Sequence, residues 1–109
     1  MSYNPPSAAV KARAKEIIGQ YYKTALDLGM LDDDGNPLIG YQVDGMFEGD
    51  YVSISEHQPK TGAPRYYIIT VRHGRETLMQ PLSPTPTLKA RLEEELARLM
   101  GEALGRQHD

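Results

Sequence analysis

Three histidines, a run of three aspartates and a block of closely spaced acids are the side chains here best equipped for chemistry. His57, His73 and His108 could carry protons or hold a metal, because imidazole titrates near neutrality and coordinates zinc. None stands at the four-residue spacing that places two rings on one helix face, and His57 and His73 are expected at opposite ends of neighbouring strands. Asp32-Asp33-Asp34-Gly35-Asn36 invites a calcium reading, but a calcium loop needs alternating acids before its glycine and a closing glutamate. Both are missing, and Asp, Gly and Asn are the residues that turns use for their own backbone bonds.

Other catalytic patterns are absent as well. Ser53 and Ser55 have no nucleophile elbow around them. The acids of 44–56 lack the Glu-x-Lys spacing of metal nucleases, and Glu56 and Lys60 are separated across Pro59. Gly45, Gly49, Gly62 and Gly74 are isolated and form no phosphate loop. There is no cysteine, which excludes disulfides, thiol catalysis and thiolate metal sites. The chain is therefore read as non-enzymatic, with no catalytic residue, no metal site and no cofactor expected.

The charges, in contrast, are segregated. Between Lys23 and Lys60 there is no Lys or Arg, while Asp27, Asp32, Asp33, Asp34, Asp44, Glu48, Asp50 and Glu56 supply acids. From His57 to Arg75 the sign reverses, with Lys60, Arg65, Arg72 and Arg75 and no acid. Such asymmetry can steer a charged partner, or it can be neutralised internally across a sheet, Glu56 against Arg65 for instance.

The elements that position these residues follow from periodicity and punctuation. Residues 1–6 read as a flexible tail without the basic start and apolar core of a secretion signal. Ser7 caps a helix over 7–28, with Val10, Ala14, Ile17, Ile18, Tyr21, Ala25 and Leu28 as its apolar stripe and Gly29 ending it. Met30-Leu31 and Leu38-Ile39 flank the Asp32–Pro37 turn and suit a short hairpin. Strands are expected from Tyr41 towards Phe47, over 51–55, over 65–72 and from Glu76 to Met79. Glu48-Gly49-Asp50 and His73-Gly74 turn the chain between them. Alternation puts Val52, Ile54, Tyr67, Ile69 and Val71 inside. Thr85 as cap and Pro86 at the first helical position open a last helix. Leu88, Leu92, Leu96, Leu99 and Ala103 make its stripe, and it ends at Gly105, before a frayed 106–109.

At 109 residues, with a net charge of −3, these segments amount to one domain over 7–105. The expected fold is α+β: an N-terminal helix, an antiparallel meander of three to four strands and a C-terminal helix, both helices on one sheet face. The helix–strands–helix order resembles the double-stranded-RNA-binding domain in outline only. The lysine-rich lead-in to that family's last helix is replaced here by Ser83-Pro84-Thr85-Pro86-Thr87-Leu88-Lys89, followed by Glu93-Glu94-Glu95. That removes the main electrostatic term of an RNA contact.

The function expected from the residues is that of a small adaptor, regulator or inhibitor docking on a larger protein or nucleoprotein complex. Its acidic docking residues would be Asp32, Asp33, Asp34, Asp44, Glu48 and Asp50. The open sheet face and basic hairpin would add Tyr51, Arg65, Tyr66, Arg72 and Arg75, because tyrosine and arginine suit interfaces. The alternative is single-stranded nucleic acid bound through the basic, aromatic 57–75 hairpin. A homodimer through the open face is also compatible with the pattern. No apolar run approaches the roughly 20 residues that span a bilayer, and a cytoplasmic address is expected.

Overall fold

A computed structural model describes residues 6–38, 42–47 and 49–105. Of the expected tails at 1–6 and 106–109, residues 1–5 and 106–109 lie outside the described residues, as do Ile39, Tyr41 and Glu48. Helix α1 runs Ala8–Asp27, followed by β1 (Gln42–Phe47), β2 (Asp50–His57), β3 (Tyr66–His73), β4 (Glu76–Leu82) and α2 (Leu88–Gly105). The strands form one sheet in the order β1-β2-β3-β4, every neighbouring pair antiparallel, so the meander is complete with four strands.

Helix α1 starts and stops as its sequence dictates. The Ser7 side chain accepts a hydrogen bond from the Val10 amide at 3.2 Å, satisfying one of the free donors of the first turn. At the other end Gly29 takes φ +70°, while the Met30 amide donates to Ala25 and the Gly29 amide to Leu26. This pair of reversed bonds closes the last turn and is available cheaply only to a residue without a Cβ. Val10, Ala14, Ile18, Tyr21 and Ala25 are buried. Leu28, expected on the same stripe, is 62% exposed. As the cap residue it stands where the chain leaves the helix, so the helical projection no longer aims it at the core.

Helix α2 begins at Leu88 rather than Pro86. Thr85 and Pro86 instead form a turn closed by the Leu88 amide on the Thr85 carbonyl at 3.0 Å. Leu88, Leu92, Leu96, Leu99 and Ala103 are buried as expected, joined by Ala97 and Met100. Arg98, which could have paired with Glu94, bonds Glu95 at 2.8 Å, Glu102 at 2.7 Å and the Gln80 side chain at 2.9 Å. The last of these ties α2 to β4.

The two helices run antiparallel. Pro6, just before α1, packs against Gly101 near the end of α2, where an added Cβ would come within 3.3 Å of the proline. At the other end of the seam the Lys89 ammonium lies 5.8 Å from the Tyr22 ring. The helices pack on each other, and α2 packs on β3 and β4. One hydrophobic core joins both helices to Val52, Ile54, Tyr67, Ile69, Val71 and Leu82. The strand register therefore has the expected parity, with Tyr67, Ile69 and Val71 fully buried.

Candidate functional site

Two regions carry polar or accessible groups beyond what the core requires. The first joins the α1–β1 turn to the helix-facing edge of β2 and β3. Leu31 pairs with Pro37, the Leu38 amide donates to Met30 at 2.9 Å and the Asp32 amide to Asn36 at 2.8 Å. Asp32 then folds its carboxylate back onto the turn, accepting from the amides of Asp34 and Asn36, each at 2.9 Å. The local chemistry is what Asp, Gly and Asn do in turns.

Three tertiary contacts clamp this turn to the rest of the protein. The Arg65 guanidinium forms an ion pair and hydrogen bond with Asp32, their side chains only 21% and 17% exposed. The Tyr67 hydroxyl donates to the Pro37 carbonyl at 2.6 Å, and the Tyr22 hydroxyl to the Asn36 side-chain carbonyl at 3.0 Å. Arg65 also lies 5.8 Å from the Tyr67 ring centroid. Replacing Tyr67 with phenylalanine keeps the packing and strands the Pro37 carbonyl; a loss of about 1–2 kcal/mol is expected in chemical denaturation.

The electrostatics match the geometry. Burial works against the Asp32 charge, but the Asn36 amide, the Arg65 guanidinium and the Asp34 amide outweigh it and hold the carboxyl below its ordinary value. Burial likewise opposes the Arg65 charge, and the bond to Asp32 outweighs it, raising the guanidinium further. The Tyr67 phenol is pushed up to about 12, chiefly by burial. Burial raises Tyr22 as well.

Glu56 lies beside this clamp on the same face of the sheet. It follows Val52 and Ile54 in the inward series of β2 and is only 4% exposed. Neither carboxylate oxygen has a hydrogen-bond partner among the described residues. Burial raises its carboxyl above the usual glutamate value, with Arg65 and His57 pulling the other way and Asp32 reinforcing the rise. The expected cross-strand pair between Glu56 and Arg65 is replaced by the longer-range pair with Asp32. The turn brings Asp32 to the guanidinium with its geometry already fixed by two backbone amides.

The second region is the opposite face of the sheet, away from the core cluster. The register lays it out in rows: Met46, Tyr51, Arg72 and Thr77; then Ser53, Thr70 and Met79; then Ser55, Ile68 and Pro81; then His57 and Tyr66. Met46 is 69% and Met79 57% exposed, large values for apolar side chains. The Arg72 guanidinium stacks over the Tyr51 ring at 4.8 Å, and the His57 ring lies against Tyr66 at 5.4 Å and 14°. The Ser55 hydroxyl meets His57 Nε2 at 2.8 Å.

The residues expected to bind a partner are thus divided. Asp32 is engaged by Arg65, and Asp50 by the His73 ring at 2.5 Å. Asp33 and Asp34 stand exposed at the turn. The Asp44 side chain and Glu48 lie outside the described residues. Of the basic hairpin, Arg65 faces the helix side, Tyr66 and Arg72 face the open side, and Arg75 is exposed in the β3–β4 turn. His57 and His73 stand at opposite ends of the sheet, as the meander requires. Sequence reasoning overlooked Asn36 and Tyr22. The inward parity of Glu56 with Val52 and Ile54 was the signal that could have identified its burial.

Elsewhere, a groove of about 520 Å³ between the helices has Ala90 and Ala97 in its lining and Lys11, Lys15, Glu93 and Glu94 around them. No group of three or more His, Asp or Glu capable of holding a metal occurs among the described residues. No helix among them is long and apolar enough to cross a membrane. No family model, curated protein or solved structure matches the chain.

Proposed function

We propose that the chain is a non-enzymatic interaction protein that docks on a larger protein through the open face of its sheet. The observation that carries this reading is the pair of exposed methionines, Met46 and Met79, on a face that also holds the Tyr51–Arg72 stack. Methionine adapts to irregular apolar surfaces, and an arginine seated on a tyrosine is pre-organised to meet a carboxylate. A complementary partner presents an apolar patch with an acidic residue beside it. Of the acidic docking residues whose side chains are described, Asp33 and Asp34 remain available, because Asp32 and Asp50 already have partners within the fold.

A photo-crosslinking residue placed at position 79 is expected to capture a discrete partner in cells, and one at position 15 on α1 is not. Arg72→Glu should abolish the adduct while leaving the far-ultraviolet circular dichroism unchanged. Equal capture from both positions, or none from either, would reject the open face as the docking site. An adduct of twice the chain's mass would identify the homodimer.

A second reading, single-stranded nucleic acid, is favoured by the two planar stacks on one face, Arg72 on Tyr51 and His57 on Tyr66. It predicts binding to an unstructured oligonucleotide that weakens steeply with salt. A gel-shift titration without a complex at low salt excludes it.

A further inference from the structure

Glu56 is the one buried acid that the fold leaves without a bond among the described residues, and its neighbours give that fact a consequence. Register pairs Glu56 with Tyr67, and Arg65, just before β3, lies 5.8 Å from the Tyr67 ring and favours the charged form of the Glu56 carboxyl. The guanidinium that clamps the α1–β1 turn through Asp32 therefore stands between two carboxylates and bonds only one of them.

We propose that Glu56 and Asp32 compete for Arg65, forming a proton-controlled latch on the turn at residues 30–38. When Glu56 is neutral, Arg65 stays with Asp32, and the turn is held with Asn36 on Tyr22 and Pro37 on Tyr67. When Glu56 loses its proton, a buried charge without a partner is created; drawing the guanidinium across relieves it and releases Asp32. No covalent step is involved: a proton leaves to solvent and one ion pair replaces another.

The groups facing Glu56 set the direction of the switch. Arg65 beside it and His57, next to it in β2 but turned to the open face, favour its ionised form, while Asp32 and burial in the core favour the neutral one. Tyr67, raised by its own burial, stays neutral throughout the physiological range. Asp32, with its carboxyl held below the ordinary value, stabilises the closed turn above that value and loses this as pH falls through the lowered one. Glu56 acts in the opposite sense. Its carboxyl is raised in the closed state, so its contribution is present below the ordinary glutamate value and disappears as pH rises through the raised one. The turn is thus held most firmly between the two limits and loosens with alkalinity.

Hydrogen exchange at the Asp34 and Asn36 amides, which both donate to Asp32, reads the latch directly. Protection relative to intrinsic exchange should fall as pH rises above the ordinary glutamate range, by at most about tenfold per pH unit, the limit for one linked proton. Ile69, buried in β3, should keep its protection over the same range. In Glu56→Gln the turn amides should stay protected throughout, and in Asp32→Asn they should exchange fast at every pH. A wild type without the fall, or a Glu56→Gln variant that repeats it, overturns the latch. A test on the wild type alone follows the Glu56 carboxyl resonance. Its titration midpoint must coincide with the loss of protection, and separate midpoints overturn the proposal equally.

Discussion

Arg65→Met is expected to destabilise the protein by about 2–3 kcal/mol near neutral pH, somewhat less than the roughly 3–5 kcal/mol for breaking a fully buried pair, because both side chains keep some contact with solvent. For a domain of this size that is a drop in melting temperature on the order of 10 °C. Methionine preserves much of the length that packs beside Tyr67, so the loss is electrostatic. Asp32 remains enclosed with two backbone amides but no cation, and Glu56 loses the charge that most favours its ionised form. Protonating either acid removes an orphaned charge, so the deficit should shrink as pH falls into the carboxylate range. Thermal unfolding of wild type and variant at neutral and mildly acidic pH checks both statements. A deficit that stays constant with pH would mean that Arg65 contributes by packing alone.

Leu96→Ala should cost about 3 kcal/mol, within the usual range for a fully buried leucine, while Leu26→Ala should change stability by about 0.5 kcal/mol at most. Both leucines occupy helices and both satisfy a hydrophobic count, but Leu96 has no solvent exposure and Leu26 is largely open to water. Leu96 lies in the core that joins α2, α1 and the sheet, so truncation leaves a cavity that three elements would have to close. Urea titrations of the two variants measure the difference. Similar midpoints for both would show that the helix seam repacks freely around the cavity.

These two residues also show how much the sequence disclosed. Helical stripes and strand alternation are local patterns, and they were enough to place α1, α2 and all four strands, with Tyr67, Ile69 and Val71 inward. They failed where a residue's surroundings come from far along the chain. Leu28 continues the stripe numerically yet lies beyond the helix, and Pro86 serves a turn rather than the first helical position. The candidate site was legible as residue types but not as partnerships. Arg65 and Asp32 are 33 positions apart, and only the folded turn brings them together. Charge segregation along the sequence therefore suggested an acidic face that pairing in space substantially reduces, at Asp32 through Arg65 and at Asp50 through His73.

The contact of Pro6 with Gly101 bears on how the domain responds to force. Because α1 and α2 run antiparallel and α1 begins where α2 ends, a pull applied at both ends loads the helix seam one turn at a time. The sheet lies behind that seam and takes tension through α2 alone, where Arg98 bonds Gln80 of β4. Opening under load should thus proceed as a zipper from Pro6 and Gly101 towards Tyr22 and Lys89. The meander, with its exposed methionines, would be the last part of the molecule to yield.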